Sequence, residues 1–272
     1  MWENIQILIN STNYVITFIS VSINIFIGFM WLKHKFDYLF NTKYLKKLLG
    51  FKNEEVVITQ SIFEPSMISG ITHNMITYES AICLVNVTTM LRTCNYKYKI
   101  YEESSGQSDE FNIGGPTCNK KVNVYMVTFF PNFKFVTPST DRQKFDKYPI
   151  DQHFIEYSQN ETAFKIYKKH SGDVLHYFKI NSKNNDIIFL IKLTSRDFGG
   201  NFNKTVFITF GGFNKGSLYS SHFLKIYYKK LYKDFQNNHF FIAIPFNNID
   251  NSFDWSKGII NLTGIMFNDN TQ

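Results

Sequence analysis

The chain reads as an α/β domain on a mainly parallel sheet with an inserted β-hairpin, preceded by one N-terminal transmembrane helix. An uncharged, densely apolar run near the start predicts the membrane helix. Three later apolar runs, Ile187–Ile191, Val206–Phe210 and Phe240–Ile244, have the length and make-up of strands covered on both faces. Between the last two, Leu218, Leu224, Tyr227, Tyr228, Leu231 and Phe235 fall on one helical face and Lys225, Lys229, Lys230 and Lys233 on the other. Strand, helix and strand at this spacing predict a parallel βαβ unit.

The first division is residues 1–50. No residue from Ile5 to Leu32 is charged, and the stretch from Tyr14 to Leu32 matches the roughly 20 apolar residues that a bilayer core requires. A cleaved signal peptide would want a basic start and a small-residue cleavage site. This chain opens Met1-Trp2-Glu3 and ends the run in Phe29-Met30-Trp31-Leu32, which favours a retained anchor. Lys33, Lys35, Lys43, Lys46 and Lys47 follow the run and only Glu3 precedes it, so the expected orientation is single-pass, N-terminus outside and C-terminal domain cytosolic. Within the run, Asn13, Thr17, Ser20, Asn24 and Gly28 continue a polar stripe begun by Gln6 and Asn10 at steps of three or four residues. Amides facing lipid are unfavourable, so the stripe predicts self-association into a homo-oligomer; asparagine-rich codon bias is the plain alternative. From Phe36 to Leu49 an amphipathic stretch either rides on the membrane or packs on the domain, and Gly50 ends it.

The second division, residues 51–272, begins with a short strand at Val56–Ile58. A helix follows from an N-cap at Thr77 to about Cys94, then a strand over Tyr96–Tyr101. Phe111–Ile113 leads into Gly114-Gly115-Pro116, and a helix starts near Asn119 and reaches Phe129. Residues 148–181 break the alternation. Ala163–Tyr167 and Val174–Phe178 flank Ser171-Gly172-Asp173, which reads as a hairpin inserted at a sheet edge.

Composition narrows the function. At 272 residues, 44% hydrophobic and 18% aromatic, the chain has ample core and is not disordered. Its net charge of +7 comes from dispersed lysines, the mark of a solvated surface, so nucleic acid is not an expected partner. Cys83, Cys94 and Cys118 have no paired spacing, which argues against a disulfide framework; Cys83 and Cys94 share a helix face directed at the core. His73, His153, His170, His176 and His222 show no ligand spacing, so neither a metal nor a cofactor is expected.

Ligands of open parallel sheets bind beyond the carboxyl ends of the strands, where loops meet helix N-termini. Two loops have suitable composition. Gly211, Gly212, Lys215, Gly216 and Ser217 join a buried strand to a helix, and Gly114, Gly115 and Asn119 do the same one unit earlier. With Thr77 they form the expected site for a phosphate-bearing nucleotide. Neither loop matches a Walker A or dinucleotide fingerprint. Glu79, at a helix start near the same rim, is the one candidate catalytic group, for N-glycosidic cleavage; a dipole-capping role competes with it.

The series Gly-Gly-Pro-x-x-Asn at 114–119, Asp186–Lys192, Lys204-Thr205-Val206 and Gly212-x-x-x-Gly216-Ser217 resembles an uncharacterised bacterial Rossmann-like domain, over about Glu55 to Asn247. In that family the last motif is followed by alanines, where this chain has Tyr219-Ser220-Ser221. The resemblance implies a Rossmann-like fold and a pocket, with no established activity. The arrangement with a membrane helix also resembles membrane effectors of bacterial antiviral defence that carry a CRISPR-associated Rossmann-fold sensor of cyclic oligonucleotides. It implies a nucleotide-type sensor that oligomerises and opens a pore or disrupts the membrane; a membrane-tethered nucleotide- or NAD-processing enzyme is the alternative.

Overall fold

The protein is described from a computed structural model, which covers residues 23–32, 42–60, 77–100, 107–145, 151–169, 171–200, 202–253 and 258–267. The chain divides into two units, 1–44 and 45–272. In the first, residues 23–32 are helical, and Ile25, Phe26, Phe29 and Trp31 are exposed. Among the described residues no helix is long and apolar enough to cross a membrane. This overturns the predicted single-pass span. Of the expected span Tyr14 to Leu32, residues 14–22 lie outside the described residues. The orientation drawn from the flanking lysines rested on that span. Of the polar stripe, Asn13, Thr17 and Ser20 lie outside the described residues; Asn24 and Gly28 fall within helical residues 23–32.

In the second unit the strands are β1 (Glu55–Gln60), β2 (Lys97–Ile100), β3 (Asp109–Ile113), β4 (Phe133–Pro138), β5 (Ile155–Ser158), β6 (Ala163–Tyr167), β7 (Val174–Lys179), β8 (Asn185–Leu193), β9 (Val206–Gly211), β10 (Phe240–Asn247), β11 (Ser252–Phe253) and β12 (Ile260–Asn261). The helices are α1 (42–49), α2 (Tyr78–Thr93), α3 (Lys120–Phe129), α4 (Arg142–Phe145), α5 (Asn214–Phe235) and α6 (Thr263–Phe267). Helix boundaries follow their caps. Thr77 Oγ1 accepts from the Ser80 amide at the start of α2, and Asn119 Oδ1 accepts from the Lys121 and Val122 amides at the start of α3. Gly50, at φ +63°, ends α1 with its amide on Lys46 O.

The main sheet runs β11-β10-β8-β9-β3-β1-β2, with β12 also on β10. It is mixed, which corrects the expectation of a mainly parallel Rossmann-like sheet. β2, β1, β3 and β9 pair in parallel, whereas β8 pairs antiparallel with both β9 and β10. β9 and β10 do run the same way on either side of α5, but β8 lies between them. Continuous apolar runs report burial on both faces and carry no information about direction. The hairpin of β6 and β7 is also placed differently. It forms a separate four-stranded sheet, β5-β4-β6-β7, and does not join the edge of the main sheet.

Two cores result. On one face of the main sheet α1, α2 and α5 bury Leu48, Val87, Leu91, Leu224 and Leu231 against Val56, Phe111, Leu190 and Phe207; Cys83 and Cys94 lie in this layer. On the other face the four-stranded sheet and α3 pack on it. Phe133 and Phe164 meet the ring of Phe189 edge-on at 5.1 and 4.9 Å. The amphipathic stretch before Gly50 therefore packs on the domain from Leu45 onward.

One polar group interrupts the first core. Lys192, on β8, is fully buried, with Nζ donating to Leu48 O (2.7 Å) and Asn237 Oδ1 (3.0 Å). Burial pushes its pKa down from 10.5 to about 7. The unfolded chain then holds more protons than the folded one between those values, so this group's contribution to stability rises with pH across that window. Urea denaturation at pH 6 to 9.5 should show the parent gaining on Lys192→Met above pH 7, at up to about 1.4 kcal/mol per pH unit. A pH-independent difference between the two would contradict it.

Candidate functional site at the carboxyl edge

The two glycine turns come together. The Gly114 amide donates to Thr209 O (3.0 Å), and a Cβ added at Gly115 would stand in ordinary contact with Phe210 and Gly211 O. Both turns stand at the carboxyl ends of adjacent parallel strands, β3 and β9, as the sequence placed them. Behind them runs a buried polar chain. Thr59 donates to Asn112 Oδ1, and Asn119 Nδ2 donates to Ile113 O (2.9 Å) and Thr59 Oγ1 (3.3 Å). Asn119 thus spends its oxygen on α3 and its amide on the sheet. The α3 N-terminus is satisfied from within, as Thr77 partly satisfies α2, where Glu79 stands in the first turn.

The loop from Gly211 to Ser217 is likewise filled by the protein. α5 begins at Asn214, three residues earlier than Ser217 suggested, and its N-cap residue Phe213 makes no side-chain capping bond. Asp186, from β8, supplies the acceptor. Its carboxylate takes the amides of Ile187 (2.7 Å), Gly212 (2.9 Å) and Phe213 (3.0 Å), with the Gly216 amide as a further donor. The dipole and free amides of α5 thus meet an internal anion where an external phosphate was expected.

Steric demand follows from that contact. A Cβ on Gly212 or Gly216 would run into the Asp186 carboxylate, and one on Gly211 would collide with Gly216. The close helix start also needs small neighbours: Ser220 and Ser221 are buried, and Ser217 Oγ accepts from the Gly211 amide (3.2 Å). Lys215 points elsewhere, with Nζ on Asn248 O (3.3 Å).

Asp186 is 3% exposed, and burial pushes its pKa up to about 6 although the amides pull it down. It also belongs to the wall of a cleft of about 600 Å³. The cleft opens at the same sheet edge, between β7, the start of β8 and the end of β10. Lys179, Asn184, Asn185, Asn247, Phe178 and Phe246 are among its lining residues. Next to it, Asn248 is 3% exposed; its Nδ2 donates to Asn181 O and Ser182 O, while Oδ1 is buried with no hydrogen-bond partner. Sequence reasoning missed Asp186 and these asparagines. An acid at the head of an apolar run looks like an ordinary strand boundary, and the signal that could have exposed it was the lack of a capping side chain before α5.

No family model, curated protein or solved structure matches this chain.

The Asp186 contact makes a direct forecast. Asp186→Asn keeps the shape but sets an NH2 against backbone amides, leaving at least one of these donors without its acceptor. Urea denaturation at pH 7 should register a loss of about 1–3 kcal/mol. Stability equal to the parent would show that the carboxylate is not what holds the loop.

Proposed function

We propose that this chain is a ligand-sensing α/β domain whose ligand is of nucleotide type and binds in the carboxyl-edge cleft beside Asp186. The observation that carries the reading is the double position of Asp186, which lines the cleft and anchors the N-terminus of α5. A cleft of about 600 Å³ lies within the ordinary range of small-ligand sites, about 300–1,000 Å³, and has room for a mononucleotide. Its wall combines aromatic rings, three asparagine amides and a lysine. That is the mix a base, a sugar and one charge require. Phosphate is not assigned to the Gly211–Ser217 loop in this reading, because Asp186 holds those amides. The ligand instead offers donors to Asp186 and its charge to Lys179 or Lys215.

A ligand that competes for the carboxylate alters the hold on a 22-residue helix, which turns binding into a change in α5. Calorimetric titration of the protein with nucleosides and mononucleotides should give saturable one-to-one binding by at least one. Asn247→Leu should weaken it by about 1–3 kcal/mol, and chromatography should recover the ligand unchanged. Turnover that is lost in Glu79→Gln would replace the sensor with an N-glycosidic enzyme. Absence of binding across the panel would remove the cleft as a nucleotide site.

A further inference from the structure

At the opposite, amino-terminal edge of β9 lies a second pocket, of about 330 Å³, lined by Gly50, Lys52, Thr194, Ser195, Arg196, Thr205, Asn237, Asn238 and His239. Its lining holds three basic side chains, three hydroxyls and two amides, and no carboxylate. The acids that stand behind it are already engaged. Asp197 Oδ2 accepts from the Thr194 amide (2.6 Å) and hydroxyl (3.0 Å), and its Oδ1 is 2.7 Å from His239 Nδ1. Asp109 takes the amides of Lys52, Asn53 and Thr205.

The basic groups keep donors to spare. Among the described residues, Lys52 Nζ donates to two neutral oxygens, Ser195 Oγ (2.9 Å) and Asn203 Oδ1 (2.6 Å), which leaves one of its three donors. Arg196 is exposed and forms no ion pair among the described residues, so its five-donor fork is available. The His239 ring lies flat on Phe267, with centroids 3.9 Å apart, and its Nδ1 is committed to Asp197, which leaves Nε2 as its remaining polar atom. Beneath the pocket, the buried Lys192 amine is held by Asn237, a lining residue. Gly50, also in the lining, sits so close that a Cβ there would meet both Asn237 and Lys192.

We propose that this pocket is a binding site for a tetrahedral oxyanion of phosphate type, held by Arg196, Lys52 and His239 with the Ser195 hydroxyl; the Thr205 hydroxyl is spent on Gly50 O (3.0 Å). A guanidinium fork and an ammonium supply charge-assisted bonds, and the Ser195 hydroxyl, which accepts from Lys52, keeps its own hydrogen for the anion. The anion arrives either as free phosphate or as the monoester group of a larger metabolite. The site stands apart from the cleft beside Asp186 and does not rest on the reading given to it.

Thermal unfolding of the full chain in inorganic phosphate, against chloride at equal ionic strength, tests this. Phosphate also stabilises proteins without binding, through exclusion from their surface, but that effect is linear in concentration. The expected result is a saturable rise in Tm above that line. In Arg196→Gln, an exposed change that leaves the protein's own Tm in chloride unaltered, the midpoint should move at least tenfold higher. His239→Gln should shift it in the same direction, and Lys225→Gln, on the exposed face of α5 and in neither pocket, should leave it in place. Glycerol phosphate then separates the sources. A midpoint well below that of inorganic phosphate identifies a monoester, and an equal or higher one identifies the free anion. A strictly linear phosphate response, or a saturable one unchanged in Arg196→Gln, overturns the proposal.

Discussion

The carboxylate of Asp186, closed in by the amides of Gly212, Phe213 and Gly216, is the contact on which the arrangement of this domain turns. It gives α5 the N-terminal acceptor that its own sequence lacks, and it requires glycine at positions 212 and 216. It also seats β8 beside β9, which sets an antiparallel strand into a sheet whose other half is parallel. The far end of the same strand carries Lys192, which donates to the carbonyl end of α1 and to Asn237 just beyond α5. One strand therefore places a negative group at a helix start and a positive group at a helix end, each where the helix dipole favours it.

Much of the secondary structure was legible because it is written locally. Thr77 and Asn119 begin helices through bonds to amides two or three residues on, and Gly50 ends one with a backbone conformation that side chains rarely adopt. That both glycine turns end strands at one rim was also legible; that those strands are neighbours, so that the turns meet, was not. Strand direction was not. Ile187–Ile191 would look the same in either orientation, and only the lack of a helical pattern between Leu193 and Val206 hinted that β8 and β9 join without a crossover. The role of Asp186 was out of reach for a related reason: the loop amides it holds before α5 lie 26 residues or more along the chain, and nothing near it marks them.

Polar groups elsewhere in the interior reinforce the same topology. β3 opens with two buried acids that point to opposite faces. Asp109 gathers amides from residues 52, 53 and 205, which ties the end of the α1 turn to the approach to β9. Glu110 accepts from Tyr125 (2.7 Å) and Lys204 (3.3 Å), and the Lys204 ammonium also lies 4.8 Å from the centre of the Phe198 ring. Buried pairs of this kind add little net stability, because desolvation offsets the attraction. What they do is penalise other registers, in which one charge would be left alone. Here they specify which residues flank β3 at its start, just as Asp186 specifies what flanks β8.

The strand order also dictates when this domain can assemble. β3 finds its neighbour on one side in β1, early in the chain, but on the other side only in β9, so the pairing of Glu110 with Val206 closes a loop that contains the whole four-stranded sheet. β8 in turn is sealed by β10, close to the end of the chain. A chain emerging from the ribosome therefore holds β1, β2 and β3 with an open apolar edge until most of its length has been made. The four-stranded sheet has no such wait among its own strands, whose pairings lie within residues 133–179. Its phenylalanines, however, have no β8 to close over until translation passes Phe189, and they stand exposed to chaperones and to neighbouring chains in that interval.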